Sequence, residues 1–331
     1  MINIVQIGIG PLGRLIAGYI GERPNMTVVA AVDSDPALEG KDLGELCAQD
    51  RLNLAVRPSL GQAEGARRAD VAVLTTVSDI ARIVPQIEQI VAFGLPVVTT
   101  CEELVYPWIT APQQAERLDA LAKSKGVAIL ATGVNPGFMM DTLPVVMSAA
   151  CVRVDAIKVV RIQDAAGRRL PFRRKIGAGL TLEVFEQKRK DGSLRHVGLS
   201  ESMHLIASRI GWKLERTEDR ITPVVAEALI RSQSMTIEAG CTAGVQQIGR
   251  GFVDGQERIT LVFRASVGEP SPEDTVEILG EPHLVSSVAG GVHGDTATCA
   301  ITLNAIERVL KAAPGLRTMA DIAPVSFSLA E

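Results

Sequence analysis

The sequence predicts an α/β protein: a doubly wound parallel sheet joined to a second, α+β domain. Three observations predict it. Apolar strand-like segments alternate with segments of helical period through the first third of the chain. Hydrophobic residues make up 47% but aromatics only 3%, so the cores must be aliphatic, the mix that suits a sheet covered by helices on both faces. A length of 331 residues is more than one ordinary core needs and suits two domains.

In order, strands are expected at 2–7, 27–32, 52–56, 71–75, 96–100 and 127–131, with helices at 12–20, 80–93 and 113–125 between them. The pattern changes after about Asp155. A strand is expected at 156–162, then helices around 180–190 and 201–210. The stretch 213–285 reads mostly as strand, for example 258–265 and 275–279, with turn chemistry at Asp254-Gly255 and at 270–272. A last helix at 297–312 is expected to pack back on the first domain. The expected domains are therefore 1–135 with about 296–331, and 136–295.

Composition excludes several classes. The net charge is −4, without the basic footprint of a nucleic-acid binder. Cys47, Cys101, Cys151, Cys241 and Cys299 form no CxxC pair, so neither a disulfide framework nor a metal site is expected, and a reducing compartment fits. The chain opens directly on a strand, and no apolar run reaches the roughly 18 residues of a membrane span. No membrane association is expected, and a cytoplasmic location is.

Gly8-Ile9-Gly10-Pro11-Leu12-Gly13 is a GxGxxG that follows a strand and opens a helix, and Asp33 lies twenty residues beyond Gly13 at the end of the second strand. In this context the pattern is the fingerprint of a Rossmann dinucleotide site. Gly8 permits the tight turn, Gly10 lets backbone approach a pyrophosphate, and Gly13 lets helix and strand pack closely. The helix N-terminus offers free N–H groups and partial positive charge. Asp33 would accept from the adenosine ribose and repel a 2′-phosphate, which favours NAD over NADP. Thr75 and Thr76 end the fourth strand and are candidates for the nicotinamide-side ribose, with plain strand-end hydroxyls as the alternative.

The fifth strand runs into Cys101-Glu102-Glu103-Leu104, which sets paired carboxylates at the crevice. Thr100 as N-cap and Glu103 as N3 would form a capping box, so Glu103 reads first as structural and Glu102 as the side chain facing substrate. Cys101 has no local base and reads as structural. The turn 132–141 follows the sixth strand. Its Asn135, Pro136 and Gly137 are rigid turn formers, and its amides are candidates to grip a nicotinamide carboxamide. Arg168, Arg169, Arg173 and Arg174 include candidates for a substrate carboxylate. His196 and His293 are candidate polar wall residues.

Five segments carry a resemblance: Cys101-Glu102-Glu103-Leu104 with Tyr106-Pro107, Asn135-Pro136-Gly137-Phe138 with Asp141, Lys175-Ile176-Gly177-Ala178-Gly179, residues 290–298, and Pro314-Gly315-Leu316-Arg317-Thr318-Met319 with Asp321. Together they resemble the 2,4-diaminopentanoate dehydrogenase family and the native NAD(P)-dependent amine dehydrogenases, relatives of dihydrodipicolinate reductase. The resemblance implies a Rossmann domain, a dimerising substrate domain, and hence a homodimer. It implies reversible deamination of a primary amine with hydride transfer, the partners being a small amine or ketone and ammonia. It also implies that the Cys-Glu-Glu carboxylate meets the substrate nitrogen, a role carried to Glu102, with Glu103 as fallback. Phe138, Arg173, His196 and His293 are the substrate-side candidates.

Dihydrodipicolinate reductases carry a His-His pair and a Lys-x-Asp-x-Pro-Ser-Gly-Thr segment. This chain has neither, which counts against its being an imine reductase of that kind. A non-catalytic NAD(P)-binding sensor is the reading from another class, and the strand-end carboxylates argue against it.

Overall fold

The computed structural model describes residues 1–168, 170–194, 197–232 and 235–329. The chain divides into two compact units, Met1–Phe138 with Asp295–Glu331, and Met139–Gly294.

The first unit opens with β1 (Ile2–Ile7), α1 (Pro11–Gly21), β2 (Met26–Val32), the short α2 (Leu43–Leu46) and β3 (Val56–Arg57). It continues with β4 (Val71–Leu74), α3 (Ile80–Ala92), β5 (Val97–Thr99), a 3-10 turn at Glu102–Leu104, α4 (Pro112–Lys125) and β6 (Ala128–Ala131). The second unit holds α5 (Thr142–Met147), β7 (Arg153–Asp164), α6 (Leu170–Lys175), α7 (Leu182–Lys190) and α8 (Leu199–Ile210). Its later strands are β8 (Arg216–Val225), β9 (Ile230–Ser232), β10 (Met235–Ile237), β11 (Thr242–Val253), β12 (Gln256–Ser266), β13 (Glu273–Glu281) and β14 (Leu284–Ala289). The chain then returns to the first unit with α9 (Gly294–Leu310) and β15 (Gly315–Arg317).

In the first unit seven parallel strands lie in the order β15-β6-β5-β4-β1-β2-β3. From β1 the chain builds outward through β2 and β3, then crosses to the other side at β4. The β1/β4 boundary is therefore the switch point where open α/β sheets bind ligands, outside the strands' carboxyl ends. Val5, Leu74, Val97 and Ile129 from the strands and Ile87 and Leu118 from the helices are buried in the main core, with no aromatic side chain among its fully buried members. Helix ends follow sequence rules. Pro stands at the start of α1, Asp79 caps α3 by accepting from Arg82 N, and Gly126 ends α4 at φ 69° after Lys123 and Lys125.

The second unit is a mixed sheet ordered β14-β13-β7-β12-β11-β8, in which β7 and β12 run parallel and the other pairs antiparallel. Val159, Leu261, Phe263 and Ile278 face a core shared with Phe185, Met203 and Ile206 from the helices. Trp212 packs partly buried against the same core. Asp254 and Gly255 have φ 50° and 73°, as a two-residue type I′ turn between β11 and β12 requires.

Several expected elements differ. The third strand shrinks to Val56–Arg57 because Leu52 N and Leu54 N donate to the Asp42 carboxylate (3.0 and 2.9 Å) instead of to a ladder. β15 is a seventh strand within the 314–321 motif, too short for its period to register. Short helices α5 and α6 lie in stretches for which no element was expected. The last helix starts three residues earlier than expected, at Gly294.

Candidate active site

Parallel strands put their following loops on one edge of the sheet. Along that edge the order β6-β5-β4-β1-β2 lines up Asn135, Glu102, Thr75, the glycine loop and Asp33. Neighbouring strands are about 4.8 Å apart, so Asp33 and the β6 turn lie on the order of 19 Å from each other.

The glycine loop is built as its spacing demands. Gly8 has φ +89° and sits against Thr75, where a Cβ would come within 2.9 Å of backbone. A Cβ on Gly13 would meet Gly8 O at 1.9 Å, so only glycine lets α1 approach this closely. A Cβ on Gly10 would meet nothing within 4 Å, which leaves this face open. Pro11 is exposed and Leu12 half-buried in the first turn of α1, and Gly10 caps the helix without a side-chain bond. Asp33 accepts from Ile9 N (2.6 Å) and Asp35 N (2.9 Å). A carboxylate has about four acceptor positions, so the clamp leaves capacity for hydroxyl donors.

Thr75 is committed within the loop: its hydroxyl donates to Gly8 O (2.9 Å) and accepts from Gln6 Nε2 (2.9 Å). Exposed Thr76 donates to Gln86 Oε1 (2.8 Å). Gln6, fully buried in β1, was passed over in the sequence. Its signal was available, as a polar residue in the apolar run that enters the glycine loop.

At the β5 end the capping box is corrected. Cys101, not Thr100, caps the 3-10 turn, and it does so without a side-chain bond. Glu103 does cap, but on another helix: its Oε2 accepts from Ile80 N (2.9 Å) at the start of α3, and its own N–H donates to Ser78 O (3.3 Å). The α3 dipole favours that anion. Glu102 is half-buried beside it. Burial pushes the Cys101 thiol up to about 12, with backbone N–H groups opposing and both glutamates adding, and its Sγ meets Ser78 O at 3.2 Å. That thiol cannot serve as a nucleophile near neutrality.

The β6 turn carries the strongest indication of a ligand. Asn135 is 7% exposed, and neither its Oδ1 nor its Nδ2 has a hydrogen-bond partner. Thr132 Oγ1, three residues earlier, is also buried and unpartnered. Buried amides are costly to leave unsatisfied, and a primary carboxamide offers the donor and acceptor that Asn135 needs. The turn contains a cis Asn135-Pro136 bond and Gly137 at φ 125°, and Val134 N donates to Thr298 Oγ1 (3.3 Å). Phe138 is half-buried at its end. Open glycine cradle, ribose-level carboxylate and orphaned amide together fit a nicotinamide dinucleotide.

The second unit contains a cavity of ≈ 280 Å³ whose walls include Gln163, Arg168, His293 and the glycine-rich 290–294 run. Arg168 stacks on Phe172 at 3.9 Å from the ring centroid and donates to Gln163 Oε1 (2.9 Å). Behind it, Arg161 and Asp274 form a buried pair at 3.0 Å. Burial lowers the Arg161 pKa to about 10, Asp274 opposing and Arg168 adding, while burial raises that of Asp274. The pair holds the cavity loop: Val292 N donates to Asp274 (2.7 Å), and Val292 O accepts from Arg161 and Gln163, each at 2.8 Å. Arg173 is buried in α6, off this wall, and Arg174 follows it there. Arg169 and His196 lie outside the described residues. Among the described residues no group of three or more His, Cys, Asp or Glu could hold a metal, and no helix is long and apolar enough to cross a membrane.

Residues 138–330 match the 2,4-diaminopentanoate dehydrogenase C-terminal domain. Over 330 residues the chain is 30% identical to 2,4-diaminopentanoate dehydrogenase of Acetoanaerobium sticklandii, covering 97% of this chain and 93% of that protein. It is 23% identical to an amine dehydrogenase of Streptomyces virginiae, with 97% and 96% covered. An amine dehydrogenase structure from Mycobacterium smegmatis shares the fold at a TM-score of 0.87 and 24% identity, covering 99% of this chain and 98% of that one. With a glycine cradle and strand-end carboxylates in the first unit and a family match over most of the second, the chain belongs to the 2,4-diaminopentanoate dehydrogenase family, a family of oxidoreductases.

Proposed function

We propose that the protein is an NAD(P)-dependent amine dehydrogenase. It deaminates a primary amine or diamino acid oxidatively and, in reverse, aminates a ketone with ammonia. The observation that carries this reading is Glu102: a half-buried carboxylate on the same sheet edge as the glycine cradle and Asn135, beside a thiol too weakly acidic to compete.

Gly8, Gly10, Pro11, Leu12 and Gly13 would hold the pyrophosphate, Asp33 the adenosine ribose, and Asn135, Pro136 and Gly137 the carboxamide. Thr75 and Thr76 would act through the loop they brace. When bound, the cofactor accepts the hydride from the carbon bearing nitrogen. An alkylammonium has a pKa of about 10.4, so a base must take one proton before that carbon can give up hydride. Glu102 holds the ammonium and accepts that proton; once the proton has passed on to solvent, the carboxylate is again anionic against the positive charge of the developing iminium. Water adds to the iminium carbon and ammonia leaves. In the reverse direction ammonia condenses with the ketone, water leaves, and the same carboxyl group returns the proton to the amine nitrogen once the iminium has been reduced.

NAD is the preferred form, because Asp33 is anionic where a 2′-phosphate would lie. Asp33→Ala should weaken NAD binding more than NADP binding; equal loss counts against its ribose role. In the second unit Arg168, backed by Gln163, is the group suited to a substrate carboxylate. The protein is cytoplasmic and acts as a homodimer through the sheet face of the second unit turned away from its core. On that face Val160, Val262 and Ile248 form an in-register row of half-buried apolar side chains across β7, β12 and β11.

The deciding experiment follows nicotinamide absorbance with NAD+ or NADP+ and a panel of simple amines and diamino acids, and with NADH or NADPH and dihydrodipicolinate. Turnover of 2,4-diaminopentanoate or another primary amine is expected. Activity confined to dihydrodipicolinate would make it an imine reductase, and cofactor binding without any turnover would make it a sensor.

A further inference from the structure

Four residues of β1 are buried, and Gln6 is the polar one. A glutamine in the middle of a parallel sheet is costly unless its amide is bonded. Its Nε2 donates to Thr75 Oγ1 (2.9 Å) and to Gly8 O (3.1 Å), and the Thr75 hydroxyl donates to the same Gly8 O (2.9 Å). Two side chains, from β1 and from the end of β4, thus converge on one carbonyl behind the glycine loop.

That carbonyl belongs to the Gly8–Ile9 peptide, whose N–H donates to Asp33 Oδ2 (2.6 Å). In a trans peptide C=O and N–H point in opposite directions, so this one plane is clamped at both ends. The clamp matters because Gly8 is a glycine at φ +89°, with little local barrier to rotating the plane. Flipped, the carbonyl dipole would turn out of the sheet toward the anion-binding end of α1 and oppose a phosphate.

We infer that Gln6 is a positioning residue for the dinucleotide pyrophosphate, acting with Thr75 through Gly8 O and touching no ligand itself. The inference rests on the dinucleotide reading of this edge but not on the amine chemistry. It explains why a buried amide stands in an apolar strand and why the Thr75 hydroxyl turns inward.

The test measures Kd for NAD+ and for ADP-ribose by calorimetry, with Tm and steady-state kinetics, on wild type, Gln6→Met, Thr75→Val and the double variant. Gln6→Met should raise both Kd values about tenfold, the weight of one or two lost hydrogen bonds. Tm should move by only a few degrees, and kcat at saturating NAD+ should stay within about twofold. The double variant should fall short of the product of the two single effects, because both act on one carbonyl. Unchanged ADP-ribose affinity in Gln6→Met overturns the inference, as does a loss of kcat with Kd intact. If Gln6→Met does not fold, Thr75→Val alone decides: weaker ADP-ribose binding supports the clamp, and unchanged binding sinks it. Wild type that binds neither ligand would overturn the dinucleotide reading itself, an outcome distinct from variants that bind as well as wild type.

Discussion

Glu102 and Glu103 are adjacent and chemically identical, yet their surroundings divide them. Glu103 accepts from Ile80 N at the positive end of α3, so its charge is spent on the helix. Glu102, half-buried at the β5 end of the same edge, is the carboxylate assigned to the substrate nitrogen. Glu102→Ala should cut turnover by about 10²- to 10⁴-fold with NAD+ affinity unchanged. Glu103→Ala should instead lower stability by about 1 kcal/mol, the usual cost of a lost cap, and keep most turnover. Turnover assays and thermal melts on both variants check the assignment, and a reversed pattern would exchange the roles. Arg168 makes a separate prediction. Arg168→Met should raise KM for a diamino acid about 10- to 100-fold and leave a simple amine's KM within about twofold, since the loss is of a charged hydrogen bond. The motif spacing pointed to the acidic pair and to the arginine cluster. Neither Glu103's partner twenty-three positions upstream nor the choice of Arg168 over Arg173 for the cavity wall was legible, because both depend on contacts between separate elements.

At the scale of elements, Asp42 shows how one side chain can replace a strand. Its carboxylate accepts from Gly44 N, Glu45 N, Leu52 N and Leu54 N, capping α2 and pinning the loop before β3. Burial pushes its pKa up, but the four N–H groups outweigh that and hold it below the usual carboxylate value. A depressed folded pKa means stability present above the unfolded value, about 3.9, and lost as pH falls through the folded one. Stability measured by urea unfolding should therefore decline below about pH 4, and Asp42→Asn should flatten that decline while lowering stability at neutral pH. An unaltered pH profile in Asp42→Asn would remove Asp42 from the acid response. The apolar run 52–56 looked like a strand because periodicity does not reveal where its N–H groups go. The longer strands and helices of the first unit were legible because their periods repeat over enough residues to register.

For the whole molecule, the mixed sheet leaves the row Val160, Val262 and Ile248 half-buried on the face away from its core. If a second copy covers that row, sedimentation should give a dimer, and Val262→Glu should give a monomer, since like charges would meet in an apolar contact. A wild-type monomer would remove the homodimer from the proposal. The sequence by itself determined the parallel sheet of the first unit, the glycine loop and the acidic pair at a strand end. These are set by period and by short-range spacing, which a linear chain carries intact. Tertiary structure alone decided which glutamate caps α3, that Thr75 turns inward to Gln6, that Asn135 is buried without a partner, and that Arg168 rather than Arg173 lines the cavity. Each of those depends on which groups from distant segments meet and which are left unmet, and that is settled only when the strands pair and the loops close.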